Sequence, residues 1–189
     1  MARVKISELT AKKLLHTFLE LPYTGVNSFD VLDENKSYVV KVDEGIKKRM
    51  TRGLVGLNKS KDEARDFITE LNEKGFRNVI IEEMVSYSPE QEMYLSLERI
   101  REGFRVLYSK TGGINIEESG SVQESTIYAE SETDDASRIE KNLGVPQLFI
   151  SQIIGVMNKY HFSFLEINPL VVMENGKSQM ANGKSSYYY

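Results

Sequence analysis

Phe164-Leu165-Glu166-Ile167-Asn168-Pro169-Leu170-Val171-Val172 sets an acid and an amide two residues apart inside an otherwise apolar run. In an extended chain, side chains at i and i+2 share a face. Glu166 and Asn168 are therefore predicted to present their oxygens together while Leu165 and Ile167 pack on the other side. Pro169 cannot donate to a ladder and is expected to end or kink the strand just past them.

Oxygens in an apolar strand need a partner. On spacing alone the plainer reading is favoured: Glu166 paired with a basic residue, and Asn168 in a turn forced by the proline. The alternative is a hard cation carrying a nucleotide phosphate, because Mg²⁺ takes few protein oxygens and completes its shell from water and phosphate.

The chain has 189 residues, enough for one medium domain or two small lobes with a substantial core. Its net charge of -4 gives no support to nucleic-acid binding. Cysteine is absent, which rules out a disulfide framework or a thiolate metal site and fits a reducing compartment. No apolar run approaches membrane-spanning length, and the first residues lack the apolar core of a signal peptide. A cytoplasmic location, without membrane contact, is the expectation.

Ser7 opens a segment whose Leu9, Ala11, Leu14, Leu15, Phe18 and Leu19 share a helical face. A short strand is predicted at 29–32 and further strands at 37–42 and 54–57. Ser60-Lys61-Asp62-Glu63 is a capping box opening a helix that stops at Gly75. Strands at 78–85, 92–99 and 104–109 then suggest a meander. The polar stretch 111–145 holds Gly112-Gly113 and a helix over 133–142 capped by Gly144; Pro146 is read as the first position of another helix. Asn175-Gly176 reads as a hairpin turn before the last residues. From Met180 the sequence is small and polar, ends in three tyrosines and has neither helix nor strand period. The pattern implies an α+β chain whose sheets are covered on one side.

Two other constellations carry chemistry. Lys41 ends an apolar β-run and is followed by Lys47, Lys48, Arg49 and Arg52, then Gly53 and Gly56. A strand lysine and a basic loop suit phosphate, although a solvated basic loop explains them equally well and no GxxxxGK[ST] pattern occurs. Ile80-Ile81-Glu82-Glu83-Met84-Val85, with Glu92 beyond it, suits an adenine-binding connector and a ribose-binding acid. Taken alone, it reads better as an edge strand with solubilising charges.

The order of these elements, together with Ile6-Ser7-Glu8-Leu9-Thr10-Ala11-Lys12 and Gly53-Leu54-Val55-Gly56-Leu57-Asn58, resembles the ATP-grasp module of the acyl-CoA synthetase (nucleoside-diphosphate-forming) superfamily. That superfamily includes the succinyl-CoA synthetase β subunit, and the resemblance is greatest to the ATP-citrate lyase family. It implies an α+β, two-lobed ATP-grasp fold truncated at its C-terminus. The lobes would be 25–98, and 1–24 with 99–180; residues 181–189 would be a non-native or disordered tail.

The resemblance implies ATP and Mg²⁺ as cofactors. Lys41, Arg49 and the loop at Met50 would face the phosphates, Glu83 and Val85 the adenine, and Glu92 the ribose. Asn168, supported by Glu166, would be a magnesium ligand. Met50 stands where the family has a loop glycine, and the family's second metal-binding aspartate has no counterpart in Gln179-Met180-Ala181-Asn182. No catalytic residue is carried over; His16 and His161 do not match the phosphorylated histidine, which belongs to another domain or subunit. His16 is expected on a helix face and His161 as a packed or capping residue.

The partners implied are the remaining citrate- and CoA-binding domains, in a hetero- or homo-oligomer, with the isolated chain not competent. Gly112 to Thr133 is the candidate mobile part. Succinyl-CoA or citryl-CoA synthetase activity, and a non-catalytic nucleotide-binding or docking fragment, are the rival functions.

Overall fold

The computed structural model describes residues 4–46, 48–113, 116 and 120–172 in full and 178–188 by their backbone. The chain divides into two compact units, one of residues 6–86 and one of residues 1–5 with 87–189.

In the smaller unit, α1 (Glu8–Phe18) precedes β1 (Tyr38–Val42), β2 (Val55–Lys59), α2 (Lys61–Glu73) and β3 (Val79–Glu83). The strands form an antiparallel sheet in the order β2-β1-β3. Pairing of Val40 with Ile81 and of Val39 with Glu82 sorts the side chains into two faces. Tyr38, Val40, Val42, Val79 and Ile81 join Ala64, Ile68 and Leu71 of α2 in one core. Lys41 and Glu82, on the other face, reach α1. This sheet is thus covered on both faces, not one, which is why every residue of β1 is buried. Two devices hold the start of α1. Ser7 accepts from the Thr10 N–H, and the Asp43 carboxylate accepts from Glu8 N (2.6 Å) and Leu9 N (3.0 Å).

The larger unit contains β4 (Met93–Ile100), β5 (Gly103–Ser109), β6 (Gln123–Tyr128), α3 (Glu132–Leu143), α4 (Gln147–Lys159), β7 (Phe164–Val172) and β8 (Ser178–Tyr188). The sheet is antiparallel, in the order β6-β5-β4-β7-β8. Leu95, Leu97, Leu165 and Ile167 are fully buried on one face, and α3 and α4 supply Ala136, Ile139, Ile150, Ile153 and Met157.

Several expectations change. Residues 29–31 form a short 3-10 turn rather than a strand, with Ser28 Oγ accepting from Asp30 N. The expected meander is split, because β3 belongs to the smaller sheet and β4 and β5 to the larger. Strand β6 emerges inside the polar stretch; only Ile127 of its residues is buried, so an edge strand carries little hydrophobic signal. The backbone of 178–188 pairs antiparallel with β7 although the sequence from Met180 on has no strand period, since a ladder needs backbone groups and not an apolar pattern. Pro146 is the N-cap of α4 rather than its first residue. Pro169 does not end β7: the strand runs on to Val172, and the ladders to β4 and β8 shift register around it. Asn175-Gly176 lies outside the described residues.

The unit boundaries also differ from 25–98 and 1–24 with 99–180. Helix α1 joins the smaller unit because Asp43 caps it and Lys41 and Glu82 pair with it. Strand β4 joins the larger unit because its ladders run to β5 and β7.

Candidate functional site

Five charged side chains meet in the smaller unit, all nearly or fully buried: Glu8, Lys12, Lys41, Arg49 and Glu82. Alternation along β1 turns Lys41 toward α1. There, Glu8 in the first turn and Lys12 one turn later lie on one helical stripe. The Lys41 Nζ donates to Glu8 Oε1 at 2.6 Å and to Glu82 Oε2 at 2.8 Å. Lys12 Nζ lies 2.8 Å from both Glu82 oxygens and 3.0 Å from Glu8 Oε1. Arg49, in the loop after β1, donates from Nη2 to Glu8 Oε2 at 2.6 Å and from Nη1 to the Val42 carbonyl at 2.7 Å. The Tyr23 hydroxyl closes the cluster on Glu82 Oε1 at 3.0 Å.

Burial alone pushes the Glu8 carboxyl up, but Lys41, Lys12 and Arg49 outweigh it and hold Glu8 well below the ordinary carboxylate range. Glu82 is lowered in the same way: burial opposes the shift, and Lys41 and Lys12 overcome it. The Tyr23 hydroxyl is pushed up, first by burial and then by the Glu82 charge, and stays a neutral donor. Both acids are therefore ionised partners for the three cations, as buried charges require.

Lys41 and Arg49, predicted to face phosphates, are thus brought together by one carboxylate. Lys41 is only 1% exposed. Met50 follows Arg49 in a 3-10 turn and is exposed. Glu83 leaves β3 on the side opposite Glu82 and pairs with Lys36 at 2.7 Å; Val85 is half-buried beyond it. Glu8, Lys12, Tyr23, Asp43 and Glu82 were missed as site residues. One signal was available: a lysine inside an apolar strand needs an acid, and Glu82 is itself an acid inside the apolar run Ile80-Ile81-Glu82.

In the larger unit, the buried Asn168 carboxamide makes a two-point pair with one residue. Its Oδ1 accepts from Gly113 N at 2.8 Å and its Nδ2 donates to Gly113 O at 2.9 Å. Gly112 and Gly113 are required there. A Cβ on Gly112 would stand 2.6 Å from the Met93 carbonyl oxygen, and Gly113 has φ +101 with Glu92 Oε2 2.9 Å from where its Cβ would be. The glycine pair thereby lies against Glu92, the residue before β4, and Asn168 on β7. Burial raises the Glu92 carboxyl, and a hydrogen bond from Tyr87 opposes that. Glu166, half-buried, shares the Asn168 face as alternation predicted.

The metal expectation rests on Asn168 and Glu166. Among the described residues no group of three or more His, Cys, Asp or Glu could enclose an ion. The Asn168 oxygen keeps a second lone pair beyond its Gly113 bond. One amide oxygen and one carboxylate fit an ion whose other ligands are water and phosphate, not an all-protein cage. His16 Nδ1 lies 3.0 Å from the Pro22 carbonyl oxygen and its ring 4.7 Å from that of Tyr23; His161 is exposed just past α4 at φ 56. Among the described residues, no helix is long and apolar enough to cross a membrane.

No protein-family model matches the chain. It is 30% identical over 211 aligned residues to the ATP-citrate synthase of Mus musculus, an alignment covering 93% of this chain and 19% of that protein. The structure of ATP citrate lyase from Methanothrix soehngenii in complex with citrate and coenzyme A shares the fold, with a TM-score of 0.69 at 20% identity, covering 99% of this chain and 51% of that one. So does the dinucleotide forming acetyl-coenzyme A synthetase 1 of Ca. Korarchaeum cryptofilum in complex with coenzyme A and Mg-AMPPCP, with a TM-score of 0.66 at 16% identity, covering 97% and 92%. The chain spans about a fifth of the length of the mouse relative and half that of the Methanothrix chain. By its similarity to the mouse ATP-citrate synthase over 93% of its length, the chain belongs to the ATP-citrate lyase family, whose ATP-grasp portion it matches.

Proposed function

We propose that this chain is the nucleotide-binding part of an ATP-citrate lyase. In the complete enzyme, MgATP, citrate and CoA give acetyl-CoA, oxaloacetate, ADP and phosphate. The γ-phosphoryl group passes to a histidine on another domain or subunit, then to citrate; CoA displaces phosphate to form citryl-CoA, which is cleaved. The observation that carries the reading is the convergence of Lys41 and Arg49 on Glu8, which assembles two cations assigned to phosphate from a strand and a loop. Glu83 and Val85 would hold adenine, Glu92 ribose, and Asn168 with Glu166 the Mg²⁺, which when bound would neutralise phosphate charge. The chain alone, without the citrate- and CoA-binding domains, is assigned binding and not turnover. A cytoplasmic location belongs to the same reading.

One observation favours a second reading, a non-catalytic docking module: the Lys41 ammonium is buried among carboxylates. Thermal-shift titration with Mg-ATP and Mg-ADP separates the two. A ligand that binds only the folded state at one hundred times its Kd adds about 2.7 kcal/mol of stability, so a clear rise in Tm is expected. A flat response at millimolar nucleotide would leave the docking reading.

A further inference from the structure

The two acids of the buried cluster are held differently. Glu82 accepts from Lys12 on both oxygens, from Lys41 on Oε2 and from Tyr23 on Oε1, so moving it would strip three donors at once. Glu8 accepts from Lys41 on Oε1 and from Arg49 on Oε2, and each of these cations keeps another anchor. For Lys41 it is the Glu82 oxygen at 2.8 Å, and for Arg49 the Val42 carbonyl at 2.7 Å. Glu8 has a reserve partner too, because Lys12, one turn further along α1, places its Nζ 3.0 Å from Oε1. The helix itself is fixed by the Asp43 carboxylate, which accepts from the Glu8 and Leu9 N–H groups, so the Glu8 side chain can move without its backbone. The Glu8 contacts to Lys41 and Arg49 can thus be exchanged for another anion while every member of the cluster keeps a partner.

Their geometry suits a phosphoryl group. The Glu8 carboxylate sets one oxygen on an ammonium and the other on a guanidinium, the arrangement that two phosphate oxygens would take on the same pair. A phosphoryl group carries more negative charge than a carboxylate, so attraction to both cations favours the exchange. Approach is from the loop after β1, where Lys48, Thr51 and Arg52 around the buried Arg49 are exposed.

We propose that Glu8 is a displaceable counter-anion: it holds Lys41 and Arg49 in place, yields them to the phosphoryl oxygens of a nucleotide, and withdraws to Lys12. The inference rests on the nucleotide reading and adds a determinant of that site's affinity, since a site occupied by its own side chain binds more weakly by the fraction of molecules left open. Titration calorimetry of the whole chain with Mg-ATP and with adenosine, on wild type and Glu8→Gln, tests it. The variant keeps the side-chain size and removes the competing charge. Mg-ATP should bind it about fivefold tighter or more, while adenosine, which carries no phosphate, should stay within about twofold of wild type. Damage to the fold would weaken both ligands. A second measurement needs only the wild-type chain, labelled with carbon-13 at the glutamate carboxyls. Saturation with Mg-ATP should move the Glu8 resonance and leave that of Glu44, which accepts from the Arg77 and Asn78 N–H groups, in place. Mg-ATP binding that Glu8→Gln leaves equal or weakens, an equal gain for adenosine, or an unmoved Glu8 resonance at saturation would each overturn displacement and spare the nucleotide reading. Absence of Mg-ATP binding by both proteins would overturn the two together.

Discussion

The Lys41 ammonium lies 2.6 Å from Glu8 Oε1, and both side chains are buried. An ion pair in that setting is stable only while both members are present, because removing one leaves an uncompensated charge that water cannot reach. Glu8 carries a second such obligation through its other oxygen, 2.6 Å from Arg49 Nη2.

Glu8→Ala is accordingly expected to destabilise the smaller unit by about 3–5 kcal/mol, measured as a fall in the urea midpoint at constant slope. A Glu8→Met/Lys41→Met double variant should lose less than the sum of the two single changes. Strict additivity would show that the two charges do not depend on each other.

The same pair sets an acid limit. Glu8 and Glu82 have folded-state pKa values below the ordinary 4.5. The unfolded chain therefore takes up protons first as the pH falls. The stability these acids contribute is complete above about pH 5 and is lost progressively below it as the pH moves toward the lower folded values. Denaturant midpoints should be flat from about pH 7 to about pH 5 and drop beneath, and the drop should be shallower in Glu8→Gln.

Phosphate recognition can be separated from cluster integrity. Lys12→Met removes a cluster cation that has no assigned ligand contact, and Lys41→Met removes one that does. Lys41→Met should weaken nucleotide binding at least tenfold more than Lys12→Met, with Lys61→Ala on α2 neutral. Equal losses from Lys12 and Lys41, read as Kd by calorimetry, would make the cluster structural only.

Asn168→Ala strips the Gly113 N–H and C=O of their side-chain partner and should cost about 1–3 kcal/mol. On the proposed function it also abolishes the thermal shift with Mg-ATP, whereas a purely structural Asn168 would leave that shift intact in the weakened protein.

Gly113→Ala places a methyl group at φ +101 and 2.9 Å from Glu92 Oε2. Backbone strain of about 1–3 kcal/mol is expected. Adding Glu92→Ala should restore only the steric part, because the backbone angle is untouched. Full recovery of the denaturation midpoint would show that the clash, and not the angle, was the cause.

Local physics made much of this chain readable. Ser60 and Glu63 form their capping box, Ser7 caps α1, and Gly144 closes α3 in the left-handed conformation, because each depends on groups within a turn of one another. Alternation alone placed Glu166 with Asn168 on one face of β7. Weak patterns failed where packing does not discriminate: β6 has one buried side chain, and the serine-capped segment at 29–31 competes with strand through its own backbone bonds.

The amino-acid order by itself determined the caps of α1, α2 and α3 and the shared face of Glu166 and Asn168. Tertiary structure alone decided that the acids meeting Lys41 are Glu8 and Glu82, that β3 and β4 part into different sheets, and that Asn168 meets Gly113. Those pairings span 33, 41 and 55 residues of chain, and no local propensity encodes which distant partner satisfies a buried charge or amide. The desolvation of these groups is relieved only when the folded chain brings the partners within hydrogen-bond reach.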